Sequence, residues 1–141
     1  MARDHRQLRV FHEAHRLVVA IYEETRHFPR DEWFGIRIQM RRSAVSVSSN
    51  IVEGNARRST PEYVNFLNVA RGSAAETAYL VALASELGYF PPDVSRRLKE
   101  RCNNLIPQLE RLIQRMELLV QEERRAHTGR RTRDQRLKTT D

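Results

Sequence analysis

The chain has 141 residues, 40% apolar and 30% charged, which is enough for one domain with a core and too apolar for a disordered chain. Its net charge is +7, and 23 of its 25 basic residues are arginine. No stretch is apolar enough to span a bilayer, and "MARDHRQLRV" has no apolar run before its charges. Neither a membrane segment nor a signal peptide is therefore expected, and a cytoplasmic location follows.

The first expected helix covers residues 7–27. Val10, Phe11, Ala14, Leu17, Val18, Ile21 and Tyr22 recur at helical spacing, and Phe28-Pro29 ends the pattern. A second helix is expected from about Asp31 to Asn55, with Gly54 as a left-handed cap near its end. It carries two apolar stripes. Ile36, Met40, Ala44, Val47 and Ile51 fall on one side; Ile38, Val45 and Val52 recur every seventh residue on the other. An isolated bundle needs one buried stripe, so the second predicts a covering partner, expected to be another copy of the chain.

A third helix begins at "STPE". Ser59 and Glu62 fit a capping box, Pro61 suits the first turn, and Gly88 follows the end at Leu87. Tyr63, Leu67, Ala70, Ala74, Thr77, Val81 and Ala84 alternate at spacings of four and three, and Phe66, Ser73, Leu80 and Leu87 form a neighbouring heptad line. Gly72 lies in a run of small residues and is expected where backbones approach closely. A fourth helix runs from about "PPD" at 91–93 to Glu123, with a kink at Pro107 that leaves Asn103 and Asn104 on its looser side. Cys102 lies in its apolar stripe and reads as a buried, reduced thiol.

Residues 124–141 hold seven basic and two acidic side chains, and Leu137 is almost their only large apolar group. They are expected to form a mobile basic tail. Residues 1–123 are nearly balanced, with 18 basic and 16 acidic side chains. The expected architecture is therefore all-α: an antiparallel up-down-up-down four-helix bundle over 1–123, followed by a disordered tail. Basic charge draws polyanions, which makes nucleic acid the first partner class to consider.

The serines of "RRSAVSVSSNIVEGNARRS" favour structure over chemistry. Ser43 and Ser46 can bond back to carbonyls one turn earlier, and Asn50 and Glu53 can meet one turn apart. A buried Glu53 or Glu76 needs a cation, for which Arg42, Arg57 and Arg71 are candidates. No catalytic residue, metal site or cofactor is expected. Only Glu24 and His27 have the Glu-x-x-His spacing of a di-metal bundle, and His12 and His15 are three apart rather than four.

The order of motifs resembles the four-helix-bundle proteins of the 23S ribosomal RNA intervening-sequence family. The matching elements are Phe28-Pro29, Gly35, Arg41-Arg42, Val45-Ser46, Ser49-Asn50-Ile51, Glu53-Gly54, Arg57-Arg58-Ser59, Phe66-Leu67, Gly72-Ser73, Glu76 and Glu86-Leu87-Gly88-Tyr89. Val47-Ser48 stands where the family has Ile-Pro, and Met40 replaces the residue beside the arginine pair. The resemblance implies a ring, typically a homopentamer. It also implies rRNA association, or, through a distant relative, the accessory variability determinant of diversity-generating retroelements, work beside a reverse transcriptase.

The expected function is a non-enzymatic, ring-forming bundle that binds RNA or DNA through phosphates. Arg41, Arg42, Arg57, Arg58 and Arg71 are the candidates in the bundle; Arg124, Arg125, Arg130, Arg131, Arg133 and Arg136 are those in the tail. Among the bundle arginines, Arg42 and Arg71 are expected to be the ones paired within the chain. Ile38, Val45, Val52, Asn50, Glu53, Gly72, Ser73 and Glu76 are expected to hold subunits together. The alternative is a structural adaptor that displays the tail to a protein partner.

Overall fold

The computed structural model describes residues 5–140. Helix α1 spans His5–Glu24, α2 Ile38–Asn55, α3 Thr60–Glu86 and α4 Pro92–Lys138. Short connections make successive helices antiparallel. Each packs on its sequence neighbours and α1 closes on α4, which gives the expected four-helix bundle.

The predicted inner stripes are the core. Val10, Ala14, Leu17 and Ile21 of α1 meet Met40, Ala44, Val47 and Ile51 of α2, all at most 4% exposed. The α3 line from Tyr63 to Ala84 is at most 1% exposed throughout. From α4 come Leu98, Cys102, Leu105, Leu109, Leu112, Ile113 and Met116. Burial pushes the Cys102 thiol up to about 11, so it stays protonated at neutral pH.

Helix ends follow local chemistry. Ser59 Oγ accepts from the Glu62 N–H at 3.4 Å, with Pro61 in the first turn of α3. At the other end the Tyr89 N–H donates to Ala84 O at 2.9 Å and the Gly88 N–H to Ser85 O at 3.1 Å. Gly88 supplies the positive φ of 74° that this Schellman cap needs. Helix α4 runs through Pro107 as one helical element, with the Asn103 carbonyl left without its usual donor and Asn103 and Asn104 facing water.

Four expectations change. Helix α1 ends at Glu24 rather than residue 27, because Thr25 Oγ1 bonds back to Ile21 O and the chain turns to bury Phe28 against Tyr89 and Phe90. Helix α2 begins at Ile38 rather than Asp31. Before it lie a 3-10 turn at Arg30–Glu32 and a π-type turn at Trp33–Arg37, broken at Gly35 (φ −103°, ψ −115°). Gly54 is no left-handed cap, since the one positive-φ glycine among the described residues is Gly88. A Cβ on Gly54 would lie 2.7 Å from Phe66 Cβ, so this glycine lets α2 and α3 touch.

Finally, residues 124–138 are not an irregular tail but a continuation of α4, solvent-exposed on every side. Arginine, glutamate and glutamine are good helix formers, and no proline follows Pro107. An existing helix extends without a new nucleation cost. Thr128 and Thr132 bond back to the carbonyls of Arg124 and Thr128 at 3.0 Å. Residue 141, the last of the expected tail, lies outside the described residues.

Candidate nucleic-acid interface

The candidate arginines differ in what surrounds them. Arg41 projects from the first turn of α2 onto the end of α1. Its Nε donates to Thr25 Oγ1 at 2.9 Å, its Nη2 donates to Tyr22 O at 3.2 Å, and its guanidinium lies 4.5 Å over the Tyr22 ring. Burial, reinforced by nearby Arg37, holds it below its ordinary value. It is therefore engaged in tying α1 to α2. Arg57 is similarly engaged: Nη2 meets Glu53 Oε1 at 2.9 Å and the guanidinium lies 4.7 Å from the Phe66 ring.

Arg42 and Arg71, expected to be paired, are exposed and form no hydrogen bond or ion pair within the described residues. One residue along a helix is a rotation of about 100°, which turns Arg42 away from the contact that Arg41 makes. Arg58 is also exposed. Arg124, Arg125, Arg130, Arg131, Arg133 and Arg136 all lie on the exposed part of α4. Near the end of the packed part of α4, Thr60 Oγ1 donates to Glu123 Oε1 at 3.0 Å and ties the helix to the start of α3.

The polar residues of α2 build a zipper with α3. Ser43 Oγ bonds Met40 O at 2.9 Å and Thr77 Oγ1 at 2.8 Å. Ser46 does not bond back as expected but crosses to Ser73 Oγ at 2.7 Å. Asn50 does not meet Glu53; its Nδ2 reaches back to Ser46 O at 2.7 Å and Ser46 Oγ at 3.1 Å. Neither glutamate is buried: Glu53 pairs with Arg57, and Glu76 accepts from Gln39 Nε2 at 3.4 Å. Gly72 has no atom within 4 Å of where a Cβ would stand, so no close approach occurs there within the chain. The second α2 stripe is wet, with Val45 38% and Val52 53% exposed and Ile38 half-buried.

Sequence reasoning missed a cleft of about 340 Å³ between the start of α1 and the middle of α4. Among the described residues, Arg6, Arg9, Arg111 and Arg115 line it over a floor of Val10 and Leu112. Gln108, whose Oε1 is buried without a partner, forms part of the wall. The available signal was the pairing of i,i+3 arginines on α1 with i,i+4 arginines on α4, which becomes a cluster only when the two helices meet. Among the described residues, no group of three or more histidine, cysteine or acidic side chains is placed to hold a metal ion. No helix among them is long and apolar enough to cross a membrane.

The fold resembles that of a crystallised protein of unknown function from the S23 ribosomal protein family of Bacteroides thetaiotaomicron. The TM-score is 0.71 at 22% identity, over 77% of this chain and 98% of that one. A comparison with curated proteins finds no match. The sequence profile described as 23S rRNA-intervening sequence protein matches residues 6–111, from the first turn of α1 to the α4 side of the arginine cleft. The chain belongs to the family of 23S rRNA-intervening sequence proteins.

Proposed function

We propose that this protein is a non-enzymatic, ring-forming bundle that captures RNA or DNA by its phosphates. The observation that carries this is the end of α4. From Arg124 to Lys138 it presents six arginines and one lysine against one aspartate, and all of these residues are exposed. Like charges at one-turn spacing repel, and a polyanion relieves that repulsion. Exposed Arg42, Arg58 and Arg71 add charge on the bundle itself.

Self-association is supported by apolar surface left in water: Val45 and Val52 of α2 beside Leu8, Val19 and Tyr22 of α1, the last three 42–43% exposed. A ring, five-fold by resemblance to the family, covers such a face and multiplies weak phosphate contacts by avidity. The family description makes ribosomal RNA the first ligand to test, with a retroelement transcript and its reverse transcriptase second.

Backbone contacts carry little sequence information, so binding is expected to be unspecific and steep in salt. If all seven cations of the extension engage a single strand, the log–log slope is about −5 per copy. Fluorescence anisotropy across a salt titration measures it. A flat slope, or no binding at low salt, rejects the proposal, and a monomeric mass by light scattering rejects the ring. A structural adaptor is the second reading, favoured by Phe34, which is 94% exposed. Recovery of a protein partner that survives nuclease treatment would support it.

A further inference from the structure

The start of α1, the end of α2 and the first turn of α3 border a groove of about 300 Å³. Gln7, Leu8 and Phe11 of α1, Ile51 and Val52 of α2 and Tyr63 of α3 line it. Among the described residues, none of those lining it carries a charge at neutral pH. Gly54 brings α3 against α2 at this point: a Cβ there would stand 2.9 Å from Tyr63 Cδ2.

Two polar atoms of this wall lack partners. Tyr63 is fully buried, and its hydroxyl makes no hydrogen bond among the described residues. Burial pushes that hydroxyl up to about 12, so it is a donor at neutral pH. Gln7 is 6% exposed; its Nε2 donates to Met116 Sδ at 3.9 Å, and its Oε1 has no partner among the described residues. Buried polar groups are nearly always hydrogen-bonded, and leaving one unpaired is costly. A phenylalanine would fill the place of Tyr63 without that cost.

We propose that this groove is a binding site for a small neutral molecule with an apolar body and one hydroxyl, which accepts from the Tyr63 hydroxyl and donates to Gln7 Oε1. The proposal goes beyond phosphate capture and does not depend on it.

The lining sets the class of ligand. A hydroxyl both donates and accepts, as this pair of atoms requires. Leu8, Phe11, Ile51 and Val52 give its body apolar contact. A carboxylate or phosphate would lose water here without a lining cation to pair it. At ~30 Å³ for each water-sized group, the space takes about ten non-hydrogen atoms, the size of a substituted phenol or a short-chain alcohol. Leu8 and Val52, 43% and 53% exposed, form the open rim, so entry needs no helix to part. The same two side chains belong to the apolar face that self-association would cover, which makes a second copy of the chain the competing occupant.

The test titrates the full chain with p-cresol, toluene and benzoate and follows the methyl resonances of Ile51 and Val52 by NMR. A purely apolar groove favours toluene, because p-cresol gives up its hydrogen bonds to water. Here p-cresol is expected to bind about tenfold tighter than toluene, and benzoate more weakly than either. Tyr63→Phe removes the hydroxyl alone. It should lower p-cresol affinity about tenfold, leave toluene affinity within about twofold, and hold or raise the Tm. Tyr79→Phe removes a hydroxyl from a side chain that is 64% exposed and away from the groove, and should change none of these. A parent that prefers toluene, methyl resonances that stay still with all three probes, or equal p-cresol affinity in parent and Tyr63→Phe overturns the proposal. So does a marked fall in Tm for Tyr63→Phe, since the hydroxyl would then already have a partner. Binding of p-cresol only after dilution has lowered the mass measured by light scattering places a second copy in the groove and also overturns it.

Discussion

Replacing Gly54 by alanine should destabilise this protein, although alanine is the better helix former. Gly54 is buried in the last turn of α2. A Cβ there would stand 2.7 Å from Phe66 Cβ, 2.9 Å from Tyr63 Cδ2 and 3.4 Å from Tyr63 O. Phe66 Cβ is fixed to the α3 backbone, so no rotamer change moves it. Tyr63 is fully buried beside a cavity of about 300 Å³, so its ring can give a little, but Phe66 Cβ cannot. Relief therefore requires α2 and α3 to part near their shared loop. Alanine gains about 1 kcal/mol of helix propensity. Overpacking a filled core costs about 1–3 kcal/mol, and contacts this short, on rigid atoms, belong at the upper end. The net expectation is a loss of about 1–2 kcal/mol, or a Tm lower by about 3–6 °C for a chain of this size. Urea unfolding followed by far-UV circular dichroism measures it. Gly72→Ala is the internal control: its Cβ meets nothing within 4 Å, so it should gain about 0.5–1 kcal/mol. A Gly54→Ala variant as stable as the parent would refute the close approach of α2 and α3.

Three further outcomes are expected. Burial raises Cys102 from 9.0 to about 11 and Tyr63 from 10.0 to about 12. Both folded-state values lie above the unfolded ones, so the stability from keeping these groups neutral is intact below about pH 9 and is lost as pH rises through 11 to 12. The unfolding free energy from urea titration should be level near neutrality and fall above about pH 9, by about 2–3 kcal/mol per group once titrated. Ser59→Ala removes the acceptor for the Glu62 N–H and should cost about 1 kcal/mol by the same unfolding assay. Deletion after Glu123 removes exposed helix only, so it should lower helical ellipticity while leaving Tm within about 1 °C.

The core was legible because helical periodicity is a local property. Met40, Ala44, Val47 and Ile51, or Tyr63 through Ala84, declare their inward face by spacing alone, and each of them is buried. Boundaries were legible where a cap is chemical: Ser59, Pro61 and Gly88 act where their residue types predict. The start of α2 was not, because nothing local distinguishes a helical Arg30–Arg37 from the turns that bring the Trp33 indole N–H to Phe28 O at 3.1 Å. That bond, with Arg30 and Arg37 flanking the Trp33 ring, is set by how Phe28 packs on Tyr89 and Phe90. The helical end of α4 was hidden for the opposite reason. Absence of apolar residues argues against burial, but a helix that continues from a packed one needs no burial of its own.

The candidate site was less legible than the core, and Arg41 and Arg42 show why. The two are identical in type and adjacent in sequence, yet one rotation step separates a guanidinium held by Thr25 and Tyr22 from one open to solvent. Which of them is engaged depends on where α1 ends, a tertiary fact absent from the arginine motif. The same reasoning runs in reverse for Arg9 and Arg111. Each is unremarkable on its own helix, and they belong together only because α1 closes on α4. Charge that matters for a polyanion is set by what lies across the contact and by what no carboxylate neutralises, so it must be sought along helix faces after the helices are placed. By that criterion the arginines left open to solvent are those of the α4 extension together with Arg42, Arg58 and Arg71, while Arg41 of the α2 pair serves to lock α1 onto α2.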